Sequence, residues 1–144
     1  MNVRIEPMHA DDFDVIQTWR YEPPYDFYDG DVEPVLNPER FYAARDAGGD
    51  LVGFYYFEAK PGETLGLGLR PDLTGRGLGP AFFRAGLEFG RERFAPRLVV
   101  LNVAAFNERA IKVYERAGFR AVGVHVRRFS RFGDVEFVSM AEDE

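Results

Sequence analysis

Seven segments of the chain have the hydrophobic pattern of β-strands. In the first of them, apolar residues alternate with polar ones, as expected for a strand with one buried face. Glycine- and proline-containing turns separate several of these segments. The predicted strands cover residues 3–5, 41–46, 51–59, 64–70, 98–104, 119–129 and 135–141. The segment at 98–104 is apolar almost throughout, which predicts a buried strand.

Three further segments repeat their apolar residues with the period of an α-helix. The first begins near Asp11 and Asp12, where acidic side chains favour a helix N-terminus. The second ends after Phe94, and the third is capped by Asn107 and ended by Gly118 in the left-handed conformation. The order of the elements predicts an α/β or α+β fold with a mixed central sheet.

The composition is that of one globular domain. The chain has 144 residues, 46% of them hydrophobic and 15% aromatic, so we expect a single domain over residues 1–144. It contains no cysteine, which excludes disulfides, thiolate zinc sites and a cysteine acyl-enzyme, and metal chemistry is not expected. There is no apolar signal stretch and no membrane-spanning run, so we expect a cytoplasmic protein without a membrane partner.

Charge is distributed unevenly along the chain. The net charge of −6 disfavours binding to nucleic acid. Residues 1–63 carry a net −9, whereas residues 70–131 carry a net +8. This asymmetry indicates an anionic ligand on one side and a cationic one on the other, and the alternative is two ordinary solvated surfaces.

A glycine-rich loop lies between a predicted strand and a predicted helix. Gly75, Gly77 and Gly79 allow the backbone to approach a ligand closely, and Arg76 adds a cation. Pro80 suits the first turn of a helix, where its missing N–H costs nothing. The pattern predicts a site for phosphate oxygens, and the alternative is a tight turn. P-loop and dinucleotide fingerprints both match poorly.

The strand before this loop has glycines on one face only. Leu65, Leu67 and Leu69 fall on one face, and Gly66 and Gly68 on the other. We interpret the bare face as a bulge or as a surface on which a ligand lies against the main chain. The alternative is that aromatic side chains fill the space over the glycines.

Asn107 and Tyr114 lie seven residues apart on the third helix, about 10.5 Å along one face. They can therefore contact one extended ligand at two points. Taken singly, Asn107 is explained by helix capping and Tyr114 by burial as a core aromatic.

Two motifs resemble the GNAT superfamily of acetyl-CoA-dependent N-acetyltransferases. Residues 107–119 look like the family's N-x-x-A-x-x-x-Y-x-x-x-G-F signature, and residues 74–79 look like its R/Q-x-x-G-x-G/A pyrophosphate loop. Thr74 departs from the usual Arg or Gln at the first position of the loop. The resemblance extends over about residues 41–140.

The resemblance implies a mixed, mostly antiparallel central sheet of about seven strands flanked by about four helices. It implies acetyl-CoA as cosubstrate, with pantetheine inserted in a V-shaped opening between strands 64–70 and 98–104. It also implies direct attack of an amine on the thioester, with Tyr114 as the general acid and backbone N–H groups holding the oxyanion. The implied cofactor-binding residues are Leu67, Gly68, Leu69, Thr74, Gly75, Arg76, Gly77, Leu78, Gly79, Pro80, Asn102, Asn107, Ala110 and Val113.

The acceptor is predicted to be an amine that is cationic in solution. Acidic and aromatic residues are interleaved within the irregular segment 21–36, and this combination suits an ammonium group. The candidate substrate-binding residues are Glu22, Tyr25, Asp26, Tyr28 and Asp29. The alternative is a solvated loop whose aromatics pack on the first helix.

The general base is not identified by the resemblance. One branch that acetylates protein N-termini carries Glu at the place that Asn102 takes here, and asparagine cannot accept a proton. The remaining candidates are a water chain or one of Glu22, Asp26, Tyr28, Glu58 and Glu63.

Rival functions remain open from sequence. A non-catalytic acyl-CoA sensor would keep the glycine loop without needing Tyr114, so the intact tyrosine weighs against it. Among enzymes, a small-molecule acetyltransferase and a protein N-terminal acetyltransferase both fit, and an aminoglycoside, polyamine, amino acid or peptide could be the acceptor. An exposed edge at the final hairpin would permit a homodimer.

Overall fold

The structure is a computed structural model that describes residues 2–29, 38–58 and 63–142, with only the backbone of Pro38 and Glu63. Seven strands occur in these ranges: β1 (Arg4–Pro7), β2 (Phe41–Arg45), β3 (Leu51–Glu58), β4 (Glu63–Leu69), β5 (Val99–Ala104), β6 (Phe119–Phe129) and β7 (Gly133–Glu142). The helices in these ranges are α1 (Ala10–Gln17), α2 (Gly79–Phe94) and α3 (Glu108–Arg116). Short 3₁₀ turns cover Tyr25–Tyr28, Pro38–Arg40 and Pro71–Leu73.

The strands form one sheet in the order β1-β2-β3-β4-β5-β7-β6. The β4–β5 pair is parallel and the other described pairs are antiparallel. The predicted mixed sheet of seven strands is therefore confirmed. The described ranges contain three α-helices, where about four were expected for the whole chain. After α1 the chain forms a 3₁₀ turn, because the prolines at 23 and 24 interrupt regular helix there.

The main core lies between the sheet and helices α2 and α3. The most buried large side chains are those of Tyr55, Phe82, Phe83, Leu101 and Met140, which are all at most 1% exposed. The Tyr55 ring stacks on that of Phe82 at 4.6 Å, and its hydroxyl donates to the Phe82 carbonyl. This packing holds the N-terminal half of α2 against β3 and thereby fixes the start of the helix relative to the sheet.

Helix α3 begins and ends as its sequence predicts. Asn107 Oδ1 accepts a hydrogen bond from the Ala110 N–H at 3.2 Å, and Gly118 follows the helix with φ of +97°. Tyr114 from this helix packs into the main core beside Phe83. The caps therefore fix the position of both Asn107 and Tyr114.

Helix α1 is attached to the sheet through a buried ion pair. Arg45 of β2 donates to both carboxylate oxygens of Asp12, at 2.9 and 2.7 Å, and also to Glu6. Asp12 is 7% exposed, so its charge needs this partner. The anchored helix leads directly into the segment that starts at Tyr21.

The two strand glycines of β4 are covered by aromatic side chains, which corrects our interpretation of a bare face. Phe54 is the cross-strand partner of Gly68, and Tyr56 is the partner of Gly66. A Cβ added at either glycine would overlap the ring of its partner. The β3–β4 register is continuous, so the bulge predicted in β4 is also absent from this pairing. The glycines are needed because the neighbouring rings occupy the space of their side chains.

No helix in the described part of the chain combines the length and apolar character that crossing a membrane requires. The edge of the sheet opposite β1 is formed by β6, the first strand of the final hairpin. A homodimer through that edge stays a prediction.

We predict that Gly68→Ala destabilises the fold by roughly 1–3 kcal/mol, because the added methyl group must displace the Phe54 ring. Urea denaturation measures the loss. In a Phe54→Leu background the same substitution should lower the free energy of unfolding by less. Gly123→Ala is the matched control, since a Cβ there meets nothing within 4 Å. Equal losses for the two glycines would contradict aromatic packing as the reason for Gly68.

Candidate active site

Strands β4 and β5 separate along their length. The backbones of both strands are described throughout, and they pair only at Glu63 with Val99 and at Thr64 with Val100. From Leu65 onward β4 keeps its pairing with β3, while β5 keeps its pairing with β7. The predicted opening between these two strands is therefore present, and it widens toward their carboxyl ends.

The β4 edge of the opening consists of alternate peptide groups. The Arg70 N–H donates to the Val52 carbonyl at 2.8 Å, which fixes the phase of the β3–β4 hydrogen bonds. The direction in which the backbone N–H and C=O groups point alternates from one residue of a strand to the next, so the peptide groups of Gly66 and Gly68 point to β3. Those of Leu67 and Leu69 point toward β5. Of the predicted cofactor residues on β4, Leu67 and Leu69 face the opening with their backbone and Gly68 does not.

The β5 edge is arranged in the same way. The Ala105 N–H donates to the Glu136 carbonyl at 2.9 Å, so the odd-numbered residues of β5 bond to β7. The peptide group of Asn102 therefore points toward β4. Its side chain lies on the sheet face opposite that of Leu101 and accepts a hydrogen bond from Ser139 Oγ at 2.8 Å.

The glycine loop follows the β4 edge and leads into α2. Gly75 and Gly77 have φ of +71° and +77°, as their sequence predicted. A Cβ at Gly77 would meet nothing within 4 Å, so the loop borders open space. Leu78 caps α2, and Gly79 and Pro80 are its first residues. The N–H groups at this helix start suit an anion.

Helix α3 lies beside this loop. A Cβ at Gly79 would be 3.5 Å from Val113 Cγ2, which places Val113 against the start of α2. The Ala110 N–H is used by the Asn107 cap. The predicted cofactor residues of α3 therefore adjoin those of the loop.

Tyr114 is buried in the wall of the main core. It is 9% exposed, and its ring lies 4.8 Å from that of Phe83. Burial raises the pKa of the Tyr114 hydroxyl well above its ordinary value, and the neighbouring Tyr28 hydroxyl raises it further. The group therefore keeps its proton at neutral pH and can donate it.

Residues 21–29 connect the two sides of the opening. The Tyr21 hydroxyl donates to the Leu69 carbonyl at 2.7 Å, at the end of β4. Asn107 Nδ2, just beyond β5, donates to the Tyr28 hydroxyl at 3.1 Å. The segment therefore lies across the wide end of the opening.

The predicted substrate-binding residues within this segment already have protein partners. Asp29 accepts a hydrogen bond from the Tyr21 N–H at 2.7 Å. The Asp26 carboxylate lies 3.9 Å from the Arg131 guanidinium. The Arg109 guanidinium lies over the Tyr25 ring, 4.1 Å from its centre. Glu22 is exposed. Asp31 and Glu33, two further acidic residues of the segment 21–36, lie outside the described residues.

The aromatics of the segment divide between two clusters. Tyr21 packs with the residues of α1, as the alternative interpretation expected. Phe27 and Tyr28 instead pack with Phe106 and Phe137, beyond β5 and on β7. The segment is therefore a packed bridge between α1 and the β5–α3 side of the sheet.

Two of the base candidates belong to the closed end of the opening. Glu58 is paired with Thr64, where β4 and β5 are still joined, and Glu63 begins β4. Burial, together with Glu58, raises the pKa of Tyr56 to about 12. Glu22, Asp26 and Tyr28 are in the segment that crosses the wide end. Among the described residues no group of three or more His, Cys, Asp or Glu could hold a metal ion.

Arg109 and the polar contacts of Asn102 were missed by the sequence reasoning. Arg109 occupies a variable position of the 107–119 motif, so the motif gives it no role. Ser139 Oγ lies between Asn102 and His125 Nδ1, at 2.8 and 3.4 Å. These contacts depend on the register of β5, β7 and β6, which could not be predicted from the sequence.

Comparison with known proteins agrees with this geometry. The described part of the chain combines a mixed sheet that splits between β4 and β5, a glycine loop at the start of α2 and a tyrosine buried in the main core. The model of the Acetyltransferase (GNAT) family matches residues 4–119, and the chain belongs to that family.

Two bacterial relatives share the family part of the chain. Mycothiol acetyltransferase of Clavibacter michiganensis is 41% identical over 107 residues, which are 72% of this chain and 35% of the relative. Mycothiol acetyltransferase of Streptomyces coelicolor is 39% identical over 98 residues, 65% of this chain and 31% of the relative. The chain thus matches about a third of the length of these curated relatives.

Solved structures share the fold. Spermidine N-acetyltransferase from Vibrio cholerae, in complex with CoA and spermine, superposes with a TM-score of 0.71 at 17% identity, covering 97% of this chain and 95% of its own. A GNAT-family acetyltransferase from Bacillus anthracis gives 0.72 at 13% identity, covering 98% and 94%.

We predict that Gly77→Val raises the Kd for acetyl-CoA at least about tenfold, because the side chain would enter the space in front of the loop. Isothermal titration calorimetry measures the Kd. Gly133→Val is the matched control, since Gly133 has φ of +72° and equally open surroundings but lies in the β6–β7 turn. Both variants carry the same backbone strain. Parental affinity in a folded Gly77→Val protein would place the acetyl-CoA site elsewhere.

Proposed function

We propose that the chain transfers the acetyl group of acetyl-CoA directly to a primary amine of a small molecule or peptide. The observation that carries this proposal is the opening between β4 and β5, whose β4 edge leads into the glycine loop at the start of α2. The family membership supports acetyl transfer as the reaction class.

The residues around the opening fit acetyl-CoA. The loop at 74–79 offers N–H groups for the phosphates, and the space in front of Gly77 is open. The peptide groups of Leu67, Leu69 and Asn102 offer hydrogen bonds to an amide-containing chain laid between the strands. When bound, acetyl-CoA supplies an activated acyl group.

Tyr114 is the proposed general acid. Its hydroxyl carries a proton at neutral pH, so it can donate a proton to the sulfur that leaves. An N–H of Leu67 or Leu69 would hold the developing oxyanion, since these groups point into the opening from a fixed strand. The chain has no cysteine, which supports direct transfer without an acyl-enzyme.

The amine is proposed to enter beneath residues 21–29. Glu22, Asp26 and Asp29 give this segment negative charge, and the first 63 residues carry a net −9. Carboxylates raise the local concentration of a cationic amine. The proton of the amine would pass to Glu22, Asp26 or Tyr28, or to water, because Glu58 and Glu63 belong to the closed end.

We predict that Tyr114→Phe lowers kcat at least about tenfold, because it removes the proton donor and keeps the ring. Steady-state kinetics that follow free CoA measure kcat, and calorimetry should show a nearly unchanged Kd for acetyl-CoA. Tyr55→Phe is a control that removes another buried hydroxyl outside the opening. An undiminished kcat would remove Tyr114 from the mechanism.

We predict that the double variant Asp26→Asn, Asp29→Asn raises the KM for the amine, more so at low salt, and leaves acetyl-CoA binding unchanged. The kinetics need a panel of aminoglycosides, polyamines including spermine, amino acids and peptides. Asp11→Asn with Asp14→Asn on α1 removes the same charge from exposed positions and serves as control. A best acceptor that is neutral or anionic would refute the cationic assignment.

A further inference from the structure

The loop lacks the long Arg or Gln side chain that the family motif has at its first position. Thr74 stands there, and its hydroxyl donates to the Pro71 carbonyl at 2.6 Å, back into the preceding 3₁₀ turn. Arg76 is exposed, and its charge helps to lower the pKa of Asp72, after the larger effect of hydrogen bonding with Arg70. Neither side chain therefore holds a hydrogen-bond donor in a fixed position in the space in front of Gly75 and Gly77.

Arg109 reaches this space from the first turn of α3. A Cβ placed on Gly75 would lie 3.5 Å from Arg109 Nη1, so the guanidinium borders the loop at its first glycine. The side chain is exposed, and among the described residues it forms no ion pair. A positive charge beside a glycine loop at a helix start favours a phosphate group there.

Tyr25 holds Arg109 in this position. Arg109 Cζ lies 4.1 Å from the centre of the Tyr25 ring, and the other contacts of that ring include Phe106 at 6.3 Å. When the plane of a guanidinium stacks on an aromatic ring, the N–H groups at the edge of the guanidinium stay available for hydrogen bonds. The stack can therefore persist while Arg109 donates to a phosphate oxygen.

We propose that Arg109 binds the phosphates of acetyl-CoA and that Tyr25 is its positioning residue, so that the segment over the opening and the cofactor stabilise each other. This inference rests on the proposed function. The segment is tied to the opening through Tyr21 and Tyr28, so acetyl-CoA that binds Arg109 would also stabilise the segment in this position. By linkage, the segment must then favour acetyl-CoA to the same degree. Tyr25 would consequently affect the binding of the cofactor, because Arg109 occupies the face of the Tyr25 ring at which we expected a cationic substrate.

The test is a set of calorimetric titrations without acceptor. Arg109→Gln should raise the Kd for acetyl-CoA roughly tenfold, less at high salt, and leave the Kd for acetyl-pantetheine, which lacks the phosphates, unchanged. Titration with 3′-dephospho-acetyl-CoA distinguishes the pyrophosphate from the 3′-phosphate as the group that is bound. Arg116→Gln removes the same charge from an exposed position of α3 and should bind as the parent does.

The role of Tyr25 is tested by a double-mutant cycle. Tyr25→Leu should raise the Kd for acetyl-CoA roughly two- to fivefold, Tyr25→Phe should restore the parental value, and Tyr25→Leu should add nothing in the Arg109→Gln background. Additive losses would overturn the positioning role of Tyr25.

Two results would overturn the role of Arg109. One is a parental Kd for acetyl-CoA in Arg109→Gln, and the other is an equal loss for acetyl-CoA and acetyl-pantetheine, which would indicate a general structural effect. A parent chain that binds no acetyl-CoA would overturn the proposed function together with this inference. A parent that binds it, with Arg109→Gln binding equally well, would overturn the inference alone.

Discussion

Two parallel strands that separate after two residue pairs create a need for hydrogen-bond partners that the sheet does not meet. Beyond Thr64 and Val100, the peptide groups of Leu67, Leu69 and Asn102 point between β4 and β5. Backbone groups require partners when water is excluded, so such an opening suits an extended ligand that carries amides. The glycine loop and the start of α2 follow β4 in the chain, so they lie at the β4 side of this opening.

The segment at 21–29 extends the candidate site beyond the opening in the sheet. Its contacts reach the end of β4 through Tyr21, the cap of α3 through Tyr28 and the first turn of α3 through Tyr25. The same nine residues carry the acidic side chains proposed to attract the amine. Cofactor and acceptor would therefore act on one element, and this gives a physical basis for communication between their sites.

The sequence predicts the features that depend on local conformation. The Asn107 cap, the left-handed Gly118 and the positive φ values of Gly75 and Gly77 follow from residue type and spacing, and the structure confirms them. Register and partners across the sheet could not be predicted in this way. The bare face of β4 was misinterpreted because the rings that cover Gly66 and Gly68 come from another strand. Arg109 was missed because its partners are 34 and 84 positions away, at Gly75 and Tyr25.

The central claim is that the β4 edge facing β5 holds the cosubstrate, and amide hydrogen exchange resolved by NMR tests it residue by residue. Without ligand, the amides of Gly66 and Gly68 should be protected by their bonds to β3, and those of Leu67 and Leu69 should exchange rapidly. Saturating acetyl-CoA should protect Leu67 and Leu69 and leave the two glycines as they were. Unchanged exchange at Leu67 and Leu69 in the presence of bound acetyl-CoA would contradict the account.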